Sequence, residues 1–256
     1  ERFNASVQYV LYSHHHWDHA SGGSVFADTA RFIGHEGMVE ALDRALPLYG
    51  PDISANTIDR NGDDRASRQE VSHVGSLTRA FDRLDTNRDG ELTGDEINVD
   101  ILPPGLVYSD RMKVTLGGQT VELIHSHPTH SEDMTVLHFP EQRAAFAVDF
   151  VNARRMPGPL FDFAPENFIR AVSAIHDLDV DVFVPGHGAA GTGQDLADYV
   201  GLFRHLQSSI SDGIEYGATL NELQGAVDLS DYTDWLLYEE RRGTVIADVY
   251  EILRQE

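Results

Sequence analysis

The chain has 256 residues, 42 acidic against 19 basic side chains, and a formal net charge of −23. That length allows one large domain or two small ones around a buried core, and 41% hydrophobic with 9% aromatic residues excludes a disordered chain. The excess of acid argues against nucleic acid, which needs basic stripes, and against docking on an anionic membrane.

Ser6 to Tyr12 reads as a strand rich in β-branched and aromatic residues, followed by a polar loop from Ser13 to Gly23. Val25 to Leu46 reads as mostly helical, with a short strand possible at Arg31-Phe32-Ile33. Residues 49–100 turn acidic, rich in Asn, Asp and Gly and poor in strand signals, and read as an insertion into a domain formed by 1–48 and 101–256. Pro103-Pro104-Gly105 punctuates its end. Strands are expected at Met112–Leu116, Gln119–Ile124, Met134–Phe139 and Ala144–Val148, with Gly117-Gly118 as a hairpin turn. An amphipathic helix runs from Phe168 to His176, and Val180–Val184 is a further strand that ends in Pro185-Gly186-His187-Gly188. Beyond Thr192, the spacing of Leu196, Tyr199, Val200, Phe203 and Leu206 is helical. Mixed strands with helices at both ends imply an α/β sandwich.

His14-His15-His16-Trp17-Asp18-His19 carries four ligand-type side chains, His14, His16, Asp18 and His19, directly after a strand. Imidazoles and carboxylates are ligands for zinc and similar ions. His14 and His16 alternate along extended backbone and face one way, whereas Asp18 and His19 follow a turn and face a second point. That suits two metals. Three later residues of ligand type also flank strands: His130, Asp149 and His187. His15 is expected to point away, as supporting or exposed, and His35 to be structural or near a pocket. His125 and His127 compete less well than His130.

The set His14-x-His16-x-Asp18-His19, His130, Asp149 and His187, flanked by Ala20-Ser21-Gly22-Gly23 and the Pro185–Gly188 loop, resembles the metallo-β-lactamase superfamily. The resemblance covers residues 5–48 and 101–190. It implies a metallo-β-lactamase-like αββα sandwich with a dinuclear site. One zinc, or other transition metal, would take His14, His16 and His130. The second would take Asp18, His19 and His187, and Asp149 would bridge them. It further implies a hydrolase with a metal-bridging hydroxide, Asp18 orienting it, and a carbonyl substrate such as a β-lactam, lactone, ester or thioester. The alternatives are an iron-dependent persulfide-dioxygenase-like oxidoreductase and a calcium-dependent binding protein with a vestigial metal site. The superfamily normally has several strands before its histidine motif. Here about a dozen residues precede it, so the N-terminal strands are expected to be missing from this chain or supplied by a homo-oligomer or second chain.

Asp85 to Glu96 matches the twelve-residue EF-hand loop. Asp85, Asn87 and Asp89 stand at positions 1, 3 and 5, Gly90 at the turn, the Glu91 carbonyl at position 7 and Glu96 at position 12. Val71, Val74, Leu77, Phe81 and Leu84 mark an entering helix, and Pro103 limits the exiting one. Asp59, Asn61, Asp63 and Glu70 form a poorer copy with Asp64 at the turn. Calcium is therefore the second expected cofactor, most simply as a structural staple.

No cysteine is present, which excludes a disulfide, a thiolate site and a cysteine nucleophile. With the calcium-type loops and the acidity, this weakly favours a periplasmic or secreted location. No apolar run approaches the length of a membrane helix, and Glu1-Arg2-Phe3-Asn4 does not read as a signal peptide, which leaves room for one already removed. Residues 161–256 hold 18 acids and 5 bases, which reads as a solvated acidic surface. The expected partner is a small-molecule substrate.

Overall fold

Three short parallel strands organise the first of two structural units. The computed structural model describes residues 5–47, 49 and 58–255. The first unit comprises the described residues up to Met112 together with Ser131–Thr135, and the second comprises Lys113–His130 and the described residues from Val136 onward.

In the first unit, β1 (Tyr9–Leu11) leads into the four-residue helix α1 (Trp17–Ala20). Then follow β2 (Arg31–His35) and α2 (Glu36–Leu42). Next along the chain come β3 (Ala66–Ser67), α3 (Gly75–Leu84), β4 (Glu91–Leu92), α4 (Gly94–Ile97) and β5 (Leu106–Tyr108). The sheet order is β1-β2-β5, all parallel. Central β2 is buried over its last four residues, as a strand covered on both faces must be. Tyr12 extends β1: its N–H donates to the Ile33 carbonyl at 2.9 Å, and its hydroxyl donates to the Leu102 carbonyl at 2.8 Å. Burial pushes that phenol up to about 12.

Two expectations change here. Val25–Leu46 is not mostly helical: a 3-10 turn at Gly23–Phe26 precedes a five-residue strand, because Phe32 and Ile33 are needed between β1 and β5. The entering helix does not begin at Val71. A 3-10 turn at Glu70–His73 ends at Val74, whose φ of −97° and ψ of 94° are extended, and α3 starts only at Gly75. The expected start of the insertion falls among residues 48–57, of which only Tyr49 is described. The polar loop Ser13–Gly23 also contains α1, whose Trp-Asp-His-Ala sequence is too short and too weak in helix propensity to show it.

The remaining strands, most of whose residues belong to the second unit, form the sheet β10-β9-β8-β7-β6: β6 (Arg111–Leu116), β7 (Gln119–His125), β8 (Thr135–Phe139), β9 (Ala144–Phe146) and β10 (Val182–Val184). Gly117 and Gly118 have φ of 60° and 82°, the left-handed pair that a tight hairpin requires. β9 runs antiparallel to β8 and parallel to β10. Four helices follow the chain: α5 (Pro165–His176), α6 (Gly193–Glu215), α7 (Leu220–Ala226) and α8 (Tyr238–Leu253). Phe168 on α5 stacks on Phe203 of α6, with ring centroids 4.7 Å apart. No helix among the described residues is long and apolar enough to cross a membrane.

Candidate metal centre

The histidine motif leaves β1 as extended chain and turns at His16. The His16 backbone (φ −59°, ψ 137°) starts α1, and its carbonyl accepts from the N–H groups of His19 and Ala20 at 3.1 and 3.0 Å. His14 and His16 therefore precede the helical turn from which Asp18 and His19 project. Asp18 in the first turn also sits well with the helix dipole. His14, His15 and His16 are all buried. The rings of His14 and His16 lie 4.6 Å apart, those of His14 and His19 5.0 Å apart, and His19 Nε2 is 3.7 Å from Asp18 Oδ2.

Several residues outside the motif hold it in place. Ser13 Oγ lies 3.2 Å from His14 Nδ1, a contact of the kind that fixes a ligand ring's orientation. Tyr49 stacks on His16 at 4.2 Å with planes 12° apart. The Arg83 guanidinium lies 5.0 Å over the Trp17 ring. His15, expected to be supporting or exposed, is buried, and its Nδ1 lies 2.9 Å from Asp133 Oδ1. Burial alone would raise the Asp133 carboxyl. His15, His14 and the Ser131 hydroxyl outweigh it and hold the group well below the ordinary carboxylate range. His35 is structural: its Nδ1 accepts from the Gly37 N–H at 3.1 Å, and Nε2 donates to the Ser109 carbonyl at 2.9 Å.

In the second unit the sheet register explains how two further residues meet. Phe146 of β9 pairs with Val184 of parallel β10, and Asp149 and His187 each lie three residues beyond. Asp149 Oδ1 is 3.5 Å from His187 Nε2, and Asp149 Oδ2 is 3.4 Å from His130 Nε2. Each carboxylate oxygen thus faces a different imidazole. These separations are long for charge-assisted hydrogen bonds. They match the roughly 3.4 Å edge of a tetrahedron of ligands held about 2.1 Å from a zinc ion. The His19–Asp18 spacing is close to the same value.

Asp149 has a left-handed backbone, φ 68°, which aims its carboxylate between the two histidines. Phe161 sets its ring edge-on to His130 at 5.2 Å. The Arg155 guanidinium donates to the His187 carbonyl at 3.1 Å. The His187 side chain is 49% exposed, whereas Asp149 is only 6% exposed, so this cluster has one open side. His127 is exposed, and His125 ends β7. Among the described residues, groups of three His or Asp side chains with ligand atoms close enough to share one ion draw on His14, His16, Asp18, His19, His130, Asp149 and His187.

A model of the metallo-β-lactamase superfamily matches residues 2–187. The chain belongs to the metallo-β-lactamase superfamily. The subunit alpha of 2,4-dinitroanisole O-demethylase from Nocardioides sp. (strain JS1661) is 26% identical over 187 residues, which are 71% of this chain and 40% of that protein. The stereoselective inverting sec-alkylsulfatase Pisa1 from Pseudomonas sp. matches with a TM-score of 0.63 at 17% identity, over 97% of this chain and 41% of its own. A metallo-β-lactamase family protein from Thermus thermophilus matches with a TM-score of 0.52 at 16% identity, over 97% of this chain and 73% of its own. The chain therefore spans about two-fifths of the O-demethylase subunit and of the alkylsulfatase. The structural matches show the superfamily's α/β fold. Membership, together with histidines and aspartates suited to a metal ion, is the signature of a metal-dependent, hydrolase-like protein.

Residues beyond the ligand motif carry weaker sequence signals. Asp133 stands three residues after His130 and two after Ser131, a polar run before a strand, and could have been flagged. Tyr49, Arg83 and Phe161 come from distant segments and give no local sign.

Proposed function

We propose that this chain is a dinuclear zinc-dependent hydrolase acting on a small carbonyl substrate: a β-lactam, lactone, ester or thioester. On this reading His14, His16 and His130 hold one ion, Asp18, His19 and His187 hold the other, and Asp149 is shared. The observation that supports it most is the position of Asp149, with one oxygen towards His130 and the other towards His187 at tetrahedral-edge spacing.

Two zinc ions bound there would supply hydroxide at neutral pH and polarise the substrate oxygen. The protein's part is to place and neutralise. Asp18 accepts and relays the proton of the attacking water. Tyr49, Ser13 and the His15–Asp133 pair hold the histidine motif rigid, so that little reorganisation is needed during reaction. The exposed His187 edge is the side from which substrate enters, and Phe161 supplies an apolar wall beside His130.

A second reading has a specific support, the match to an O-demethylase subunit. On it the scissile bond joins oxygen to a methyl carbon of an aryl ether. Metal analysis of the purified chain tests both readings at the level of the cofactor, and about two zinc ions per chain is expected. One iron and no zinc would replace the hydrolase with the oxidoreductase. A panel of β-lactams, lactones, thioesters and 2,4-dinitroanisole then separates carbonyl from ether cleavage. No turnover of any carbonyl substrate by the zinc-loaded chain would sink the first reading.

A further inference from the structure

The insertion contains a feature that the zinc reading does not use. Its two loops, residues 59–70 and 85–96, repeat one pattern of contacts. At the first position, Asp59 accepts from the Gly62, Asp63 and Asp64 N–H groups, and Asp85 Oδ2 accepts from the Gly90 N–H at 3.1 Å. At the fifth, Asp63 accepts from the Arg65 N–H and Asp89 from the Glu91 N–H, each at 3.0 Å. At the twelfth, Glu70 accepts from the Arg60 N–H and Glu96 from the Thr86 N–H, again at 3.0 Å. The left-handed turn falls on Asp64 (φ 61°) in one loop and Gly90 (φ 89°) in the other. The antiparallel pair Ala66↔Leu92 joins the eighth residue of each loop, and both side chains are fully buried.

The carboxylates at the first position differ at one atom. Both oxygens of Asp59 are engaged by backbone N–H groups. Asp85 is only 8% exposed, and its Oδ1 is buried with no hydrogen-bond partner, although its Oδ2 is tied to Gly90 inside the loop. A carboxylate oxygen taken out of water without a donor is costly. A hard divalent cation removes that cost, because it binds oxygen ligands and no competing donor is required.

We propose that the loop Asp85–Glu96 binds one calcium ion. Its ligands are the carboxylates of Asp85 and Asp89, the side-chain oxygen of Asn87, the Glu91 carbonyl and both oxygens of Glu96. Glu96 Oε1 accepts from the Thr86 N–H and hydroxyl and from the Asn87 N–H, and Oε2 from the Thr93 N–H and hydroxyl, so the ion takes the place of some of these bonds. The first loop serves as the paired partner. Its Arg65 places Nη1 3.0 Å from Asp89 Oδ2 and so offsets one of the three negative charges in the ion-free state. This weakens the site relative to a loop without such a cation. The proposal does not depend on the hydrolase reading, and its readouts do not include activity.

The test is calorimetric titration of calcium chloride into the full chain, freed of calcium on a chelating resin. It is repeated with Glu96→Gln, Asn87→Ala and Glu70→Gln. Glu96→Gln retains the acceptor that caps α4 at Thr93 and should fold; far-ultraviolet circular dichroism checks this. The expected result is saturable binding by the parent with a higher melting temperature, and at least about tenfold weaker binding in Glu96→Gln and Asn87→Ala. Glu70→Gln should retain binding to the Asp85–Glu96 loop. No heat and no change in melting temperature up to about 10 mM calcium would overturn the proposal, since that exceeds the weakest loops of this type. Equal affinity in the parent and a folded Glu96→Gln would also overturn it, by placing the ion elsewhere.

Discussion

His15 Nδ1 lies 2.9 Å from Asp133 Oδ1 with both side chains almost wholly buried. The pair ties the histidine motif to Ser131–Thr135, and the backbone repeats the tie where the Thr135 N–H donates to the Ser13 carbonyl at 2.7 Å. Ser131 Oγ donates to the same Asp133 oxygen at 2.7 Å. His15→Ala leaves a buried carboxylate that has lost its main partner. The expected cost is about 3–5 kcal/mol, read as a fall in the urea midpoint with the slope unchanged. A loss below about 1 kcal/mol would mean that the pair is a bystander.

Asp149→Asn retains the shape of the side chain but removes the charge shared by His130 and His187. If Asp149 joins two ions, elemental analysis should show the loss of at least one zinc per chain. The affinity loss should exceed the roughly 10–100-fold that removal of a supporting hydrogen bond costs. Two retained zinc ions in a folded Asp149→Asn protein would remove it from the ligand set.

Gly191 sits opposite Phe183, with backbone hydrogen bonds of 2.9 Å in both directions. A Cβ there would overlap the Phe183 ring and lie 2.7 Å from Ala153 Cβ. Phe183 is fully buried and has no room to move aside. Gly191→Ala should therefore cost about 1–3 kcal/mol through overpacking, measured by thermal or urea unfolding. The His187 loop leads from β10 to Gly191, so zinc retention should weaken in the same variant.

Asp248 on α8 is mostly buried. Burial pushes its carboxyl up, the Leu160 N–H at 3.1 Å opposes this, and Asp162 adds to the rise. A carboxyl with a folded pKa above its unfolded value binds more protons in the folded state. Stability then falls as pH rises from the unfolded pKa to the folded one, and the loss persists above that window. Asp248→Asn should melt higher than the parent at pH 7, and the difference should close near pH 4, where the unfolded carboxyl titrates. A difference that is independent of pH would point to packing instead.

Most of the second unit's sheet was legible in the sequence. Met112–Leu116, Gln119–Ile124 and Met134–Phe139 alternate or run apolar as strands do, and they fall on β6, β7 and β8 to within a residue. The ends of β9 and β10 were overrun or begun early, because Ala147, Val148 and Val180 are buried outside the ladder. β5 was missed: Leu106-Val107-Tyr108 is three residues long and is made a strand only by pairing with β2. Ligand-type residues announced themselves by chemistry and by place at strand ends. The groups that hold them did not, because the contacts of Tyr49 with His16 and of Arg83 with Trp17 join residues far apart in the chain.

The left-handed backbone of Asp149 has a further consequence for variation at that position. Glycine adopts φ 68° at little cost, and aspartate and asparagine tolerate it better than most residues. Selection for heat resistance alone, without a requirement for bound metal, should therefore drift towards glycine at 149. The aspartate would return when growth is made to depend on turnover. On the proposed metal reading, position 149 is where robustness and reactivity pull the sequence in opposite directions.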